Sequence, residues 1–492
     1  MGKKKFKFVE DFIDPKTGAP QEGLNSPKTV KVPVFGVRTV HQIAKIEYSA
    51  RQVTEEVSKV DGDGNVVKGE TKTYTVYDEK MGAKGGWIEK VSNLAQGGES
   101  WVESGAYVVD NGYVSEDARI TGSAVVGDAA KVGGEAVISG QAGVGGQAYV
   151  GGKARVNGSE RLAAYGNARV FGKINGQAVV GGSAVILDNG EVSGQAVVIG
   201  HARVDGTVDG KAAVQGNAIV LKGGKVGGEA VVCEDAMVMG AGSVQGKGMA
   251  QGAALVDGKV SGECTVDDQA YVKEGSTIDG KVDVLGNSIV ASRVGGDAVI
   301  DGNVTLEEGS SAEGKASVKG NSTVCEKGSV TATGEMDGNG MANGGVGANC
   351  KVDGNGTVMD GGRLVNSTVG GNASASGPLT NFKADEGVVV LGEASNGEGS
   401  GGARIGKKGS VNGSLSGSAN VDGRSSKSAS GNAVVVKGAS VNGAAQNVKM
   451  AADDADAAGN DTVTVKEADE DMWGSNSVRY AGKWIPDELG SE

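Results

Sequence analysis

From Val102 to Leu162 every sixth residue is a branched aliphatic: Val102, Val108, Val114, Ile120, Val126, Val132, Ile138, Val144, Val150, Val156 and Leu162. Two places before most of them stands an alanine: Ala106, Ala118, Ala124, Ala130, Ala136, Ala142, Ala148 and Ala154. Glycines and short polar residues fill the rest. A repeat of six matches neither the 3.6-residue period of an amphipathic helix nor the two-residue alternation of a simple strand. It describes a chain that turns a corner every six residues and stacks on itself. In such a solenoid each repeat touches only its neighbours, so length escapes the limit that a single core imposes on a globular domain.

Write one hexad as V-G-x-x-A-x, as in Val126-Gly127-Asp128-Ala129-Ala130-Lys131. The aliphatic and the alanine point inward along a short strand. The glycine and the small polar residues beside it take the corner, where positive φ suits glycine and is tolerated by Asn or Asp. Three faces of one hexad each close a coil of about 18 residues, and parallel strands of successive coils lie about 4.7–4.9 Å apart. At that spacing about 350 residues give roughly 19 coils and a length on the order of 90 Å. Each inward Val or Ile contributes at most about 1.5–3 kcal/mol by burial. Ordering costs about 1–2 kcal/mol per residue. No single coil is therefore stable alone, and the stack must be cooperative.

Composition narrows the choice. Glycine is 88 of 492 residues and proline only 6, and glycine does not recur at every third position, which excludes collagen. Aromatic residues are 4 %, which fits a narrow interior and not a globular enzyme core. The formal net charge of −13 argues against nucleic acid as main partner, because phosphate binding needs a basic surface. Lys3-Lys4-Lys5 reads as a solvated arm. None of the cysteines Cys233, Cys264, Cys325 and Cys350 belongs to a C-x-x-C pair. Cys264 and Cys350 stand in the alanine slot and read as small buried residues of a chain that folds in a reducing cytoplasm. The N-terminus lacks the apolar stretch of a signal peptide, and no run of 18 apolar residues would insert in a membrane.

Residues 1–28 are polar and read as an extended arm with Phe6, Phe8 and Phe12 as anchors: either Phe6-Lys7-Phe8-Val9 adds a strand to a partner's sheet edge, or the segment is a floppy terminus. Residues 29–86 form a small β region with hairpins, built from Thr29–Val34, Val37–Ile46 and Thr71–Tyr77. Asp61-Gly62-Asp63-Gly64-Asn65 begins like a calcium loop. Its sixth position is Val66 in place of glycine and its twelfth is Lys72 in place of glutamate, so a hairpin turn is the better reading.

The solenoid is expected over residues 87–448, with residues 331–401 least regular. The phase slips after Leu162, and four-residue steps occur at Val170 to Ile174, Val204 to Val208, Val256 to Val260 and Ile278 to Val282. Each should trim one face or corner. Residues 449–492 form an acidic and aromatic tail. Trp87 and Trp101 at one end, and Trp473, Tyr480 and Trp484 at the other, suit capping of a raw solenoid edge or contact between subunits.

These hexads resemble the hexapeptide repeat of left-handed parallel β-helix proteins, roughly [LIV]-[GAED]-x-x-[STAV]-x. Gly85-Gly86-Trp87-Ile88-Glu89-Lys90-Val91-Ser92-Asn93-Leu94, followed by Glu99-Ser100-Trp101-Val102, is similar to the lead-in of repetitive β-helix proteins in phage and prophage genomes. Val40-His41-Gln42-Ile43-Ala44 resembles the strand that precedes that lead-in. About thirty residues more than in the family separate the two, so this part of the match is partial. The resemblance implies an all-β, triangular, left-handed parallel β-helix with a short C-terminal cap. It further implies a non-enzymatic structural or adhesive rod such as a virion fibre, spike or decoration protein, made in the host cytoplasm and released by host lysis. Self-association as a homotrimer, other virion structural proteins and a host surface receptor are the partners it implies. No catalytic, cofactor or metal residues are expected.

The alternative within the resemblance is a hexapeptide-type acyltransferase, which implies a histidine base between subunits. The chain has only His41 and His201. His201 stands where sister hexads carry Asn167 or Asn217 and reads as an exposed corner residue. Two distant histidines do not make a zinc hydratase site either. Threonines are too scattered for an ice-binding face. With so many glycines, G-x-G-x-x-G matches carry no information.

Overall fold

A computed structural model describes residues 4–13, 27–56, 59–60, 66–67, 71–159 and 162–320 and, beyond them, short strands and their partners. Two compact units, Met1–Lys222 and Gly223–Glu492, make up the chain. Both are all-β, and their stacked parallel strands form a β-solenoid of about 13 turns among the described residues.

The aliphatic residues of the hexads line the interior in three files, one per face. In the first unit one file runs Val102, Ile120, Ile138, Val156, Ile174, Val192 and Val208, each paired in parallel with the next. All seven are inaccessible to solvent. A second file passes through Val108, Val126 and Val144, and a third through Val114, Val132 and Val150. In the second unit Val226, Val244, Val260, Ile278, Val294 and Ala312 continue the design. The alanine slots are equally closed to water, from Ala106 to Ala154.

Coil length follows the spacing. Ile120 to Ile138 is an 18-residue coil, and Val192 to Val208 a 16-residue coil that contains the four-residue step at Val204. Two expectations are corrected. Leu162 does not extend the inward file: it pairs with Gly143, Ala164 pairs with Val144 across a register shift, and Val170 pairs with Val150, so this coil takes 20 residues and the slip falls on both sides of Leu162. Nor is Ile278 to Val282 a short step. Val282 is buried in the alanine slot, Val284 pairs with Val266, and the four-residue step falls between Val290 and Val294.

Corners are tight turns. The amide of Ala130 donates to the Gly127 carbonyl at 3.1 Å, and that of Ala148 to Gly145 at 3.3 Å. The positive φ lies two places after the aliphatic, at Asp128 (52°), Gly134 (65°) and Gly152 (62°), and not at the glycine directly after it. Positive φ at the first central position is the mark of a type II′ turn, which favours Gly, Asn and Asp. At several of the corners where an acid stands there, its side chain bonds to the next coil. The Gly146 amide donates to Asp128 Oδ2 at 2.7 Å, Gly252 to Glu234 Oε2 at 3.0 Å, and Gly286 to Asp268 Oδ2 at 3.0 Å. These carboxylates satisfy corner amides and so recover part of the cost of left-handed backbone.

In the second unit, hydroxyls and a thiol enter alanine slots. Each bonds to the carbonyl three residues back: Ser288 Oγ donates to Leu285 at 2.6 Å, Ser310 Oγ to Glu307 at 2.6 Å, and Cys264 Sγ to Ser261 at 2.8 Å. In these three slots the buried polar group keeps a partner, whereas Ser292 Oγ, in another alanine slot, is buried with no hydrogen-bond partner among the described residues.

In the first unit the N-terminal β region is antiparallel. Lys28–Val32 pairs with Gly36–Val40, and Gly36–Glu56 pairs with Thr71–Ile88. The strands are longer than the sequence pattern indicates. At its end this ribbon gains a second partner: Trp87-Ile88, paired antiparallel with His41-Gln42, also pairs in parallel with Tyr107-Val108, which starts the solenoid ladder. Lys59-Val60 pairs with Val66-Val67 around Asp61 to Asn65, which lie outside the described residues. Beyond Gly320 parallel pairs are described as far as Gln446 with Thr464, and Ser477–Tyr480 pairs with Lys483–Pro486.

Candidate functional site

Two features of the first unit bear on function: the closed start of the solenoid and the outward row of one face.

The start of a solenoid exposes a full set of unpaired strand edges. Here the chain's own N-terminal segment covers it. Phe6–Phe8 pairs antiparallel with Ile43–Lys45, so the strand expected for a partner's sheet is added to the chain's own. Phe6 and Phe12 are buried, Phe12 with Val9, Ala44 and Ile46 in one apolar cluster. Phe8 stacks on His41 with ring centroids 4.4 Å apart, and His41 Nδ1 is paired with the Glu10 carboxylate. Phe6, Phe8 and Phe12 thus have their partners within the chain. The alternation of Phe6-Lys7-Phe8 signals a strand but not which edge it joins.

Lys5 ties the segment to the first coil. Its Nζ donates to the Ser100 carbonyl at 2.7 Å and to Ser100 Oγ at 3.0 Å, while its amide donates to Gln96 Oε1 at 2.8 Å. Burial lowers the Lys5 pKa from the ordinary lysine value.

Trp87 and Trp101 both sit on this first turn. The ammonium of Lys28 stands 5.2 Å from the Trp87 ring and that of Lys45 5.3 Å from the Trp101 ring, both within cation–π range. The Trp101 ring lies against Gly85, where a Cβ would come within 2.6 Å of it. Trp473 and the side chains of Tyr480 and Trp484 lie outside the described residues.

The sequence reading missed a second contact. The turn Pro33 to Phe35 carries Phe35 onto the side of the solenoid, where it packs with Val32, Val40, Val109 and Val125. Arg38 closes this contact with two bonds to Asp110, at 2.9 and 3.2 Å, which raise the Arg38 pKa above its ordinary value. The sequence held no distinct signal for it, since Val125 has the same residue type as Val137, Val179 and Val185 at the equivalent position, and differs from them in being buried.

The outward residues just before each inward aliphatic form rows. On one face of the first unit the row is Tyr113, Lys131, Tyr149, Arg169, Val185, Arg203 and Ile219, each beside the next across a parallel pair. It alternates an apolar or aromatic residue with a cation at every coil. The signal was present in the sequence at steps of one coil, but only a known coil length reveals it.

His201 is exposed at a corner. Among the described residues no three His, Cys, Asp or Glu side chains come together in a way that would hold a metal ion, and no helix is long and apolar enough to cross a membrane. Compared with protein families and with curated proteins, the chain matches none.

Proposed function

We propose that this protein is a non-enzymatic structural or adhesive rod, a phage virion component of the fibre, spike or decoration kind, and a repetitive left-handed hexapeptide β-helix. It associates as a homotrimer, attaches to other virion structural proteins and meets a host surface receptor. It does not bind nucleic acid or insert in a membrane.

One observation carries this reading. As far as Gly320 the inward files of both units run on with coils of 16 or 18 residues, apart from one of 20 between Val150 and Val170, and the pairs described beyond it lie 14 to 18 residues apart. A coil series without long inserts repeats one cross-section. It gains length and stiffness, and only its outer side chains vary. That suits holding position or binding along a surface. A covered first turn supports it further, since a closed edge does not add strands from other chains.

Mass spectrometry and electron microscopy of purified particles test the reading. The chain is expected in the particles at a stoichiometry divisible by three. A soluble monomer absent from particles overturns it. An acetyl-transfer activity that His201→Ala abolishes would replace it with the acyltransferase reading.

A further inference from the structure

We propose that the row Tyr113, Lys131, Tyr149, Arg169, Val185, Arg203 binds a linear acidic polysaccharide carrying one carboxylate per disaccharide. The inference rests on the adhesive reading above and names the chemistry of what is bound.

The first ground is spacing. The cations stand on every second coil, so their backbone positions repeat at about 9.5 Å, twice the strand spacing of about 4.8 Å. An extended disaccharide of pyranose rings spans a similar length. One sugar ring then lies over each strand, and every second ring brings its carboxylate to a cation.

The second ground is that these cations are unengaged. Lys131, Arg169 and Arg203 are exposed, and among the described residues none of them makes an ion pair. Cations elsewhere on the coils do pair: Lys173 with Glu191 at 3.8 Å, Lys247 with Glu263 at 2.8 Å and Arg293 with Glu313 at 3.3 Å. The neighbouring row holds Ser115, Gly133, Gly151, Phe171, Leu187 and Asp205. Its one carboxylate, Asp205, is taken by Asn189, whose Nδ2 donates to Oδ1 at 3.1 Å. On a chain of net charge −13 this cationic row is a local exception, and a carboxylate can take two parallel bonds from each arginine.

The third ground is the shape of the apolar members. The Tyr149 ring lies along the sheet over Gly151, where a Cβ would come within 2.5 Å of it. Phe171 leans on it at 5.8 Å between centroids and 59° between planes. The pair is an aromatic surface beside bare backbone, and the C–H face of a pyranose stacks on such a surface. Tyr113 is 38 % exposed and stands two coils away. In the second unit the row Met237, Leu255, Tyr271, Ile289 and Thr305 has no cation. Single-stranded nucleic acid also joins stacking to charge. It carries a phosphate at every nucleotide, which would call for a cation at every coil, and the chain's net charge opposes it.

The test is fluorescence anisotropy on the full chain with labelled oligosaccharides of hyaluronan and desulfated chondroitin, each with one carboxylate per disaccharide. Dextran, poly-glutamate and oligothymidylate are the comparison probes. Binding of both acidic glycans is expected, weakening as salt is raised. It should fall at least ten-fold in Lys131→Gln/Arg169→Gln/Arg203→Gln and in Tyr149→Ala, with melting unchanged. No binding of either glycan overturns the proposal, as does equal or tighter binding of dextran, poly-glutamate or oligothymidylate. Should Tyr149→Ala disturb folding, Tyr113→Ala gives the same readout. Failure here leaves the chain's presence in particles untouched, and its absence from particles leaves this binding measurable.

Discussion

Phe35 lies across Gly127: a Cβ placed on Gly127 would come within 2.4 Å of the Phe35 ring. Glycine directly after the aliphatic is common in these hexads, yet here it serves the cap and not the corner, since the positive φ belongs to Asp128.

Gly127→Val is therefore expected to dislodge the Phe35 turn while leaving the coils intact. Overpacking of this kind costs about 1–3 kcal/mol. Limited proteolysis should then cut the segment around Pro33 to Arg38 faster, with the β signature of the solenoid retained. Unchanged cleavage would mean that Phe35 does not hold this contact in solution.

Ile138 is fully buried between Ile120 and Val156 in an inward file. Ile138→Asp buries a carboxylate where no water or partner reaches it, and the stack should open locally. Ile138→Ala leaves a cavity and should cost about 2–5 kcal/mol. Melting and protease resistance measure both, with the aspartate expected to be the worse. Equal, wild-type melting of the two variants would refute the closed interior.

The corner at Asp128 separates two opposing effects. Asp128→Ala loses the bond to the Gly146 amide and keeps a Cβ at positive φ, while Asp128→Gly loses the bond and relieves the backbone. A hydrogen bond of this type is worth about 0.5–1.5 kcal/mol, and left-handed backbone costs a non-glycine residue about 1–2 kcal/mol. The alanine variant should melt lower than wild type and the glycine variant close to it. An equal loss in the two variants would show that the carboxylate, not the backbone, governs the corner.

The interior of this fold was legible because a period of six admits few structures, and the positions that keep it, such as Ile120 and Val126, are the buried ones. Two misreadings have one origin. Leu162 and Val282 are aliphatic and sit near the expected phase, yet Ala164 and Val284 hold the inward positions, because strand pairing fixes the phase and residue type only follows it. The exterior was less legible. Phe6 and Phe8 carry a strand signal with no address, and the contact of Phe35 with Val125 joins residues far apart in sequence. Lys131, Tyr149 and Arg169 become neighbours only once the coil length is known. Asp61 to Asn65 and Trp473 lie outside the described residues.

Charge pairs between coils give a pH dependence of known sign. Lys247 donates to Glu263 at 2.8 Å, which holds the Glu263 carboxyl below its ordinary pKa and the Lys247 ammonium above its own. A carboxyl depressed in the folded state contributes stability above its unfolded pKa and loses it as pH falls through the folded value. The contribution is fully present at neutral pH and fades on the acid side of the ordinary glutamate range. Both side chains are exposed, so salt should weaken the effect. Carboxyl-carbon NMR should show Glu263 titrating below other exposed glutamates and moving up in Lys247→Met. No change on that substitution would remove the pair as cause.

Cys264 occupies an alanine slot, with its thiol bonded to the Ser261 carbonyl and its pKa raised by burial. The thiolate is the reactive form, so a buried thiol of raised pKa should be inert in the folded coil. Maleimide labelling of Cys264 should then report opening of the second unit rather than intrinsic reactivity. Its rate is expected to rise with denaturant well before global melting, since coils open as local units. Substituting the aliphatic neighbours separates the two causes. Val266→Ala weakens the same coil and should speed labelling, while Ile120→Val in the first unit should not. Equal acceleration by both would mean that the two units open together.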